Sequence, residues 1–488
     1  MAKDQVFFAG ILSFLLGIAW GSYFILPEAS FFFLLSATLL ATGIIFSFRR
    51  IAPFLLGILL LWGGAILSFS EKNHFETLPI SPQETKGVVR VVNDPETKDF
   101  FREVRLRFIE CETSFCPQER VLWQAPLSFH GEAGERLTFS CLLEQPVNLS
   151  DDFDYRMFLA KDRVGYICKK TGEGIALEKD WATTMIALLY KPKHLLEKGL
   201  SAILSEPEAG LAKGLLLGGD NYLPQSLKES FASVGLSHMI AVSGYNITLL
   251  AEIFLGLGLL LGLWRFQALW VALIAVIFFI FMIGIPASAA RAGAMASIVF
   301  LALQSGRVAQ PLNALLFAGG LMLFFNPLLL RYDIGFQLSF LATLGILWSA
   351  PYQEKLASLP FLFRKIGEVV LMTVAVELLV LPVILFSFHT FSPLIIVGNF
   401  LVLLVPLAMA LSFLSVLLFL LLPGSHTLFA FLTFGILTLI THAVEWLGSL
   451  TWTHFTFEQF GIRSLFVWYG IAGVIIFGLQ QRFLKHYE

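Results

Sequence analysis

The places in this chain where chemistry is available are polar residues set inside long apolar runs. The densest set is GLSHMIAVSGYNITLL (235–250), where His238, Ser243, Gly244, Tyr245 and Asn246 interrupt a lipid-like run and Glu252 follows. In PASAARAGAMAS (286–297) a single cation, Arg291, stands among small residues. RYDIGFQLSFLATLGI (331–346) puts Arg331 and Asp333 at the entrance of a run and Gln337 one turn inward, Glu377 lies mid-run, and Asn399 follows FSPL (391–394). Polar groups in hydrocarbon are costly, so they face a cavity or one another. His238, Ser243, Gly244, Asn246, Arg291, Gln337, Glu377 and Asn399 are therefore candidates for one shared lining that offers hydrogen bonds and positive charge to a polar or anionic solute. Polar side chains also glue helices together, which accounts for each residue singly but less well for their recurrence on five apolar runs. A carboxylate such as Glu377 at that depth is expected to be neutral or matched with a cation such as Arg291. Hydrolysis by Ser243 and His238 is not expected, because positions i and i+5 of a regular helix are about 140° apart.

These residues need a membrane scaffold, and the composition supplies one. The 488 residues are 57% hydrophobic and 14% charged, with 49 Phe and a mean hydropathy of +0.78; a soluble domain is about 25% charged. About 20 apolar residues cross a hydrocarbon core. On that measure the chain reads as a polytopic α-helical membrane protein of about 12 spans. Three lie near 6–26, 31–48 and 51–69, and nine near 235–263, 267–285, 287–305, 311–326, 333–350, 367–387, 394–422, 426–449 and 463–481. The first run is read as a retained span, because further apolar runs follow it at once rather than a cleavage site.

The domains expected are a three-helix membrane segment (1–70), a soluble β domain (71–180), an amphipathic interfacial stretch (181–233) and a membrane domain (234–488). Arg49-Arg50 falls between the second and third spans, so the positive-inside preference puts both termini in the cytoplasm and 71–180 outside. Arg265, Arg307, Lys355, Arg364, Lys365, Arg482 and Lys485 then all fall on the cytoplasmic side.

Within 71–180, four segments alternate apolar and polar residues between turn signals, at 86–94, 100–111, 120–131 and 135–145. Short strands of this kind make a small extracytoplasmic β-barrel, and an OB-like five-stranded barrel fits the length. The window holds 15 basic and 20 acidic side chains, leaving 18 basic against 15 acidic elsewhere. A net negative domain is a poor general clamp for a polyanion, yet Arg102, Arg105 and Arg107 beside Phe100, Phe101 and Phe108 form a local patch able to stack bases. All four cysteines, Cys111, Cys116, Cys141 and Cys168, lie in this window and are candidates for disulfides in an oxidising compartment.

The order of GLSHMIAVSGYNITLL, PASAARAGAM, RYDIGFQLSFLATLGI and FSPLIIVGNFLVLLVP resembles the ComEC competence proteins, the membrane channel of natural transformation. The resemblance covers the chain as that family's N-terminal helices, external oligonucleotide-binding domain and competence membrane domain. It implies a channel importing single-stranded DNA across the bacterial cytoplasmic membrane. His238 and Ser243-Gly244 match the family's His-Leu-Leu-Ala-Ile-Ser-Gly motif, while Tyr245-Asn246 stands where the family has Leu-His.

Many members also carry a metallo-β-lactamase-like domain that degrades the strand left outside. No HxHxDH metal-binding run occurs here, so the chain is expected not to be an enzyme, to need no cofactor or metal, and to work with a separate nuclease. An external DNA receptor, a cytoplasmic helicase-like ATPase, membrane lipid and further copies of the chain are the other partners implied. Each charge entering a negative interior costs about 2.3 kcal/mol per 100 mV, so a cytoplasmic motor or a strand-trapping protein is needed to supply the work. The rival reading is a secondary transporter or exporter of a lipid-linked or small polar substrate, with Glu377, Glu252 and His238 as a proton relay.

Overall fold

Apolar runs become helices because a backbone in lipid has to satisfy its own hydrogen bonds. In the computed structural model this holds over most of the chain. The structure describes residues 3–23, 52–79, 83–98, 100–113, 115–148, 153–171, 175–176, 181–219, 221–240, 244–304, 310–422, 424, 427–450, 455–457 and 460–484. The expected second span (31–48), Arg49-Arg50, Ser243, Arg307 and Lys485 lie outside these residues.

The described helices, in chain order, are α1 (Lys3–Tyr23), α2 (Ala52–Glu76), α3 (Tyr155–Ala160), α4 (Trp181–Ile203), α5 (Glu208–Leu217), α6 (Gln225–Val234), α7 (Ser237–Ile240), α8 (Gly244–Leu260) and α9 (Arg265–Met282). They continue with α10 (Ala287–Gln304), α11 (Pro311–Phe325), α12 (Leu329–Tyr332), α13 (Ile334–Glu354), α14 (Phe361–Phe388), α15 (Ile395–Val402), α16 (Val405–Leu421), α17 (Thr427–Gly448) and α18 (Ile462–Leu484). Among the described residues five stretches are long and apolar enough to cross a membrane: Arg265–Met282, Ile334–Ser358, Phe361–Phe388, Ile395–Leu421 and Thr427–Gly448. Four shorter apolar helices accompany them, at Phe8–Tyr23, Asn246–Leu260, Pro311–Phe325 and Ile462–Ile476. This is a multi-pass helical membrane protein.

Two expected spans are not single helices. The 235–263 run divides into α7 and α8 after Gly235, which caps α6 in the left-handed region at φ 81°. The 394–422 run changes from α15 to α16 at Pro406, since proline suits a helix start and breaks an interior.

The chain forms two compact units. The first comprises Met1–Lys193, Ile277–Ile285 and Gly293–Asp333, and the second His194–Val276, Pro286–Ala292 and Ile334–Glu488. In the first, α1 and α2 lie backbone to backbone: a Cβ on Gly17 or Gly21 would collide with the carbonyls of Leu61 and Ala65, and Ser22 and Ser68 bond through their hydroxyls at 2.7 Å.

The first unit also carries a closed five-stranded barrel near the N-terminus, built from β1 (Gln83–Val91), β3 (Arg102–Cys111), β4 (Arg120–Ala125), β5 (Arg136–Glu144) and β6 (Val164–Thr171). Going round, β1 pairs β3, β3 pairs β4, β4 pairs β6, β6 pairs β5, and β5 closes on β1. Only the β4–β6 pairing in this ring is parallel. Short strands β2 (Glu96–Thr97) and β7 (Ile175–Ala176) extend β3 and β5. Alternation sends Val89, Val104, Leu106, Phe108, Trp123, Phe139 and Tyr166 inward as the core. Gly87 is a glycine because a Cβ there would strike the Glu110 carbonyl beside the irregularity at Val88/Val89. Four of the five strands were expected; β6 was not, since its apolar stretch is short and its parallel partner is distant in sequence. Disulfides join Cys111 to Cys116 and Cys141 to Cys168, the second tying β5 to β6.

Of the stretch 181–233, expected to be amphipathic and interfacial, the part in the second unit packs by its apolar residues: Ala209, Leu211, Ala212, Leu215 and Leu217 of α5 and Leu227, Phe231 and Val234 of α6 are buried, while Gln225, Ser226 and Glu229 of α6 are exposed. Even Glu208 is buried, its carboxylate accepting from Thr438 Oγ1 of α17 at 3.0 Å. Helices α13 and α14 cross so closely at Gly345 that a Cβ would stand 2.8 Å from the Ala375 carbonyl oxygen. Pro382 inside α14 lacks the N–H that would bond the carbonyl four residues earlier. That carbonyl, on Leu378, instead accepts from Trp468 Nε1 of α18 at 2.9 Å, and Leu379 accepts from Tyr469 at 2.8 Å.

Candidate functional site

Arg291 is the centre of the polar set in the second unit. It sits in the first turn and a half of α10 and is 8% exposed. Its Nε donates to Ser339 Oγ at 2.8 Å and its Nη1 to Thr343 Oγ1 at 2.5 Å. Ser339 and Thr343 are one turn apart on α13, so both hydroxyls face the same way, and Thr343 is steadied by its own bond to the Ser339 carbonyl at 2.8 Å. The guanidinium also lies 5.9 Å from the centre of the Phe340 ring. Both of these hydroxyl partners are neutral, and they fix the direction of the guanidinium.

Gly244 completes this group. A Cβ at that position would lie 2.7 Å from Arg291 Nη2, so glycine lets the guanidinium approach the first residue of α8. The start of a helix carries partial positive charge on unsatisfied N–H groups. A guanidinium held in place at a helix end is suited to transient contact with an anion.

The other expected residues divide by what they touch. Asn246 is 4% exposed and donates from Nδ2 to the Leu215 carbonyl at 3.2 Å, which ties α8 to α5. Asn399 donates to Thr373 Oγ1 at 3.0 Å, joining α15 to α14. Both make helix-packing contacts. His238 is exposed on the short α7, its Nδ1 3.2 Å from the Gly235 carbonyl oxygen. Gln337 is half-buried on α13, and Glu377 is half-buried on α14, one turn beyond Thr373. The expected pairing of Glu377 with Arg291 is not made: among the described residues Arg291 is held by hydroxyls and Glu377 forms no ion pair. Ser339, Thr343 and Thr373 were missed because Ser and Thr in apolar helices ordinarily bond their own backbone. The i, i+4 spacing of Ser339 and Thr343 was the available signal.

On the barrel the expected arginine and phenylalanine patch comes apart. Phe108 points inward and is 6% exposed, whereas Phe100 is 88% exposed and Phe101 half-buried. Arg102 Nη1 donates to the Phe129 carbonyl at 2.6 Å, and Arg105 lies 3.6 Å from Glu103 and 3.5 Å from Asp162. Arg107 alone of the three remains exposed.

Arg107 belongs instead to a row that only the register reveals. Arg90 of β1 faces Arg136 of β5 on one side and Arg107 of β3 on the other. The β3–β4 ladder, running to Leu106 opposite Val121, brings Arg107 to Arg120, and both line one cavity. All four occupy outward positions of their strands. Burial first, then Arg105, Arg163 and Arg107, hold the Arg120 guanidinium below its ordinary range, with Asp162 opposing them.

A family model described as competence protein matches residues 215–482, more than half of the chain. The chain is also similar to ComE operon protein 3 of Bacillus subtilis (strain 168), at 26% identity over 266 residues. That match spans 54% of this chain and 33% of the relative, so the chain aligns with about a third of the curated relative's length. No solved structure matches. The matched region holds Arg291, Gly244, Ser339, Thr343 and Asn399, and the chain belongs to the competence-protein family, also called ComEC/Rec2.

Proposed function

We propose that the chain is a channel through which single-stranded DNA enters the cell across the cytoplasmic membrane during natural transformation. The observation that carries this reading is Arg291, a charged guanidinium inside the family-matched membrane region, oriented by two neutral hydroxyls and pressed against the start of α8. A site that offers positive charge without a tight cage favours transit of phosphates over their capture. His238 and Gln337 would add polar contacts along the path, while Asn246 and Asn399 hold the surrounding helices in place.

The barrel is read as OB-like and extracytoplasmic. Its five main strands run in the order first, second, third, fifth, fourth and back to the first, a Greek-key closure consistent with an oligonucleotide-binding barrel. The row Arg136, Arg90, Arg107 and Arg120 supplies a local basic track on a net negative domain, which answers the charge objection better than Arg102 and Phe101 do. A cytoplasmic ATPase would supply the work, a receptor would deliver DNA outside, and a separate nuclease would remove the second strand; the chain itself is read as a conduit, not a catalyst.

The test follows labelled DNA separately at the cell surface and in the cytosol. In cells carrying Arg291→Ala at normal protein level, surface DNA is expected to persist while internal DNA falls at least about tenfold, in line with loss of one charge-assisted contact. Undiminished internal DNA would overturn the channel assignment of this site.

A further inference from the structure

At the foot of the barrel, within the first unit, lies a cavity of about 520 Å³ whose walls include Arg107, Arg120 and Arg163 together with Glu71, His74 and Glu119. Glu71 and His74 come from the last turns of α2, just past an apolar run that ends at Phe69. Arg163 reaches the end of a second apolar helix, its Nη2 3.5 Å from the Phe325 carbonyl of α11. Phe324 and Phe325 are 58% and 67% exposed there. Two apolar helices thus end beside this cavity, where polar residues take over from apolar ones as they do at the level of phospholipid headgroups.

The chemistry of the walls fits a headgroup. Three guanidiniums converge although like charges repel, and Arg163 is held at φ 59°, a left-handed backbone that is uncommon outside glycine. Backbone bonds fix it there, from Arg163 N to the Ala160 carbonyl and from Arg120 N to the Arg163 carbonyl, both at 2.8 Å. Arg120 is further set by Nη1 donating to the Asp162 carbonyl at 3.2 Å. Opposite charge is present as well: Glu119 accepts from or pairs with His74 at 2.8 Å, and Glu71 adds a second carboxylate. A polyanion would meet those carboxylates as repulsion. A zwitterion would use both signs.

We infer that this cavity holds the headgroup of one membrane phospholipid, its phosphate on Arg107, Arg120 and Arg163 and, for an ethanolamine lipid, its ammonium on Glu71. The bound lipid would pin the barrel to the outer ends of α2 and α11. This site shares Arg107 and Arg120 with the basic row read above as a track for DNA, so the lipid and a strand would compete there, and it requires in addition that α2 and α11 reach the membrane surface.

The test is native mass spectrometry of the intact chain in detergent, titrated with phosphatidylethanolamine, phosphatidylglycerol, soluble phosphoethanolamine or oligothymidylate. Arg107→Gln with Arg163→Gln is expected to weaken retention of the ethanolamine lipid by about ten- to a hundredfold, the scale of two lost charge-assisted bonds, while Lys86→Gln on the barrel's flank leaves it unchanged. Glu71→Gln should abolish the preference for ethanolamine over glycerol headgroups, and this milder variant decides the matter if the double variant fails to accumulate. Equal lipid retention in wild type and variants overturns the site. So does soluble phosphoethanolamine binding as tightly as the lipid, or oligothymidylate binding there more tightly than the lipid.

Discussion

Two residues that carry no charge help to orient Arg291. Ser339 and Thr343 hold Nε and Nη1, and Gly244 leaves room for Nη2. Each bond from a charged donor contributes about 1.5–3 kcal/mol, so the guanidinium should lose its fixed direction when both hydroxyls are removed. Ser339→Ala with Thr343→Val is expected to reduce internalised DNA several-fold while surface-bound DNA stays constant. Gly244→Ala should do the same by steric displacement, because the added methyl would sit 2.7 Å from Nη2. Uptake at wild-type rates in both variants would reduce this cluster to a packing role. Tyr166 gives a second, independent test in the barrel: burial, and then Glu119, push its phenol up to about 12. An unfolded tyrosine ionises near pH 10, so the folded state keeps a proton that the unfolded state gives up. The stability from this group is therefore present below about pH 10 and lost as pH rises from about 10 to about 12. Alkaline melting curves of Tyr166→Phe should fall less steeply across that window than those of wild type.

At the scale of elements, helices in this protein supply what their neighbours lack. Pro382 leaves the Leu378 carbonyl without its usual partner in α14, and Trp468 of α18 supplies the missing donor at 2.9 Å. A buried acceptor left unsatisfied costs about 1–3 kcal/mol. Trp468→Phe should therefore destabilise the α14–α18 contact, and Pro382→Ala should relieve that loss by restoring the helix's own bond. A double-mutant cycle on thermal melting in detergent would report the coupling; strictly additive effects would refute it. The same logic explains Gly345, where α13 and α14 touch backbone to backbone. Gly345→Val should separate the helix that carries Ser339 and Thr343 from the one that carries Glu377, lowering stability by about 1–3 kcal/mol, as overpacking does.

At the scale of the molecule, a disulfide-bonded barrel is built into a helical membrane protein by polar contacts from the turn after α3. Lys161, in the turn after α3, lies 3.6 Å from Asp333, and its carbonyl accepts from Asn326 Nδ2 at 2.6 Å, where α11 gives way to α12. These bonds make the barrel part of the first unit and not a tethered appendage. The proposed orientation places the barrel outside and both termini in the cytoplasm. An alkaline phosphatase reporter fused after residue 148 should then be active in cells and one fused at the C-terminus inactive; the reverse pattern would invert the topology.

The sequence by itself determined the solvent of each part. Runs of Leu, Phe and Ile long enough for a hydrocarbon core, and alternating segments around the four cysteines, separate membrane helices from a β domain without reference to tertiary contacts, because burial in lipid and in a barrel leave different periods. It also singled out Arg291, since an isolated cation in an apolar run is visible as composition. What the tertiary structure decided is which residues meet. The row Arg136, Arg90, Arg107 and Arg120 depends on strand register between segments up to 46 residues apart in number, and the partners of Arg291 are 48 and 52 residues away. Strand β6 escaped notice because parallel pairing is not a local property. Arg291, found in the sequence as a candidate lining residue, became a site only when α13 and α8 were packed around it, for a charge in a membrane acquires its direction from neighbours that the linear order keeps far away.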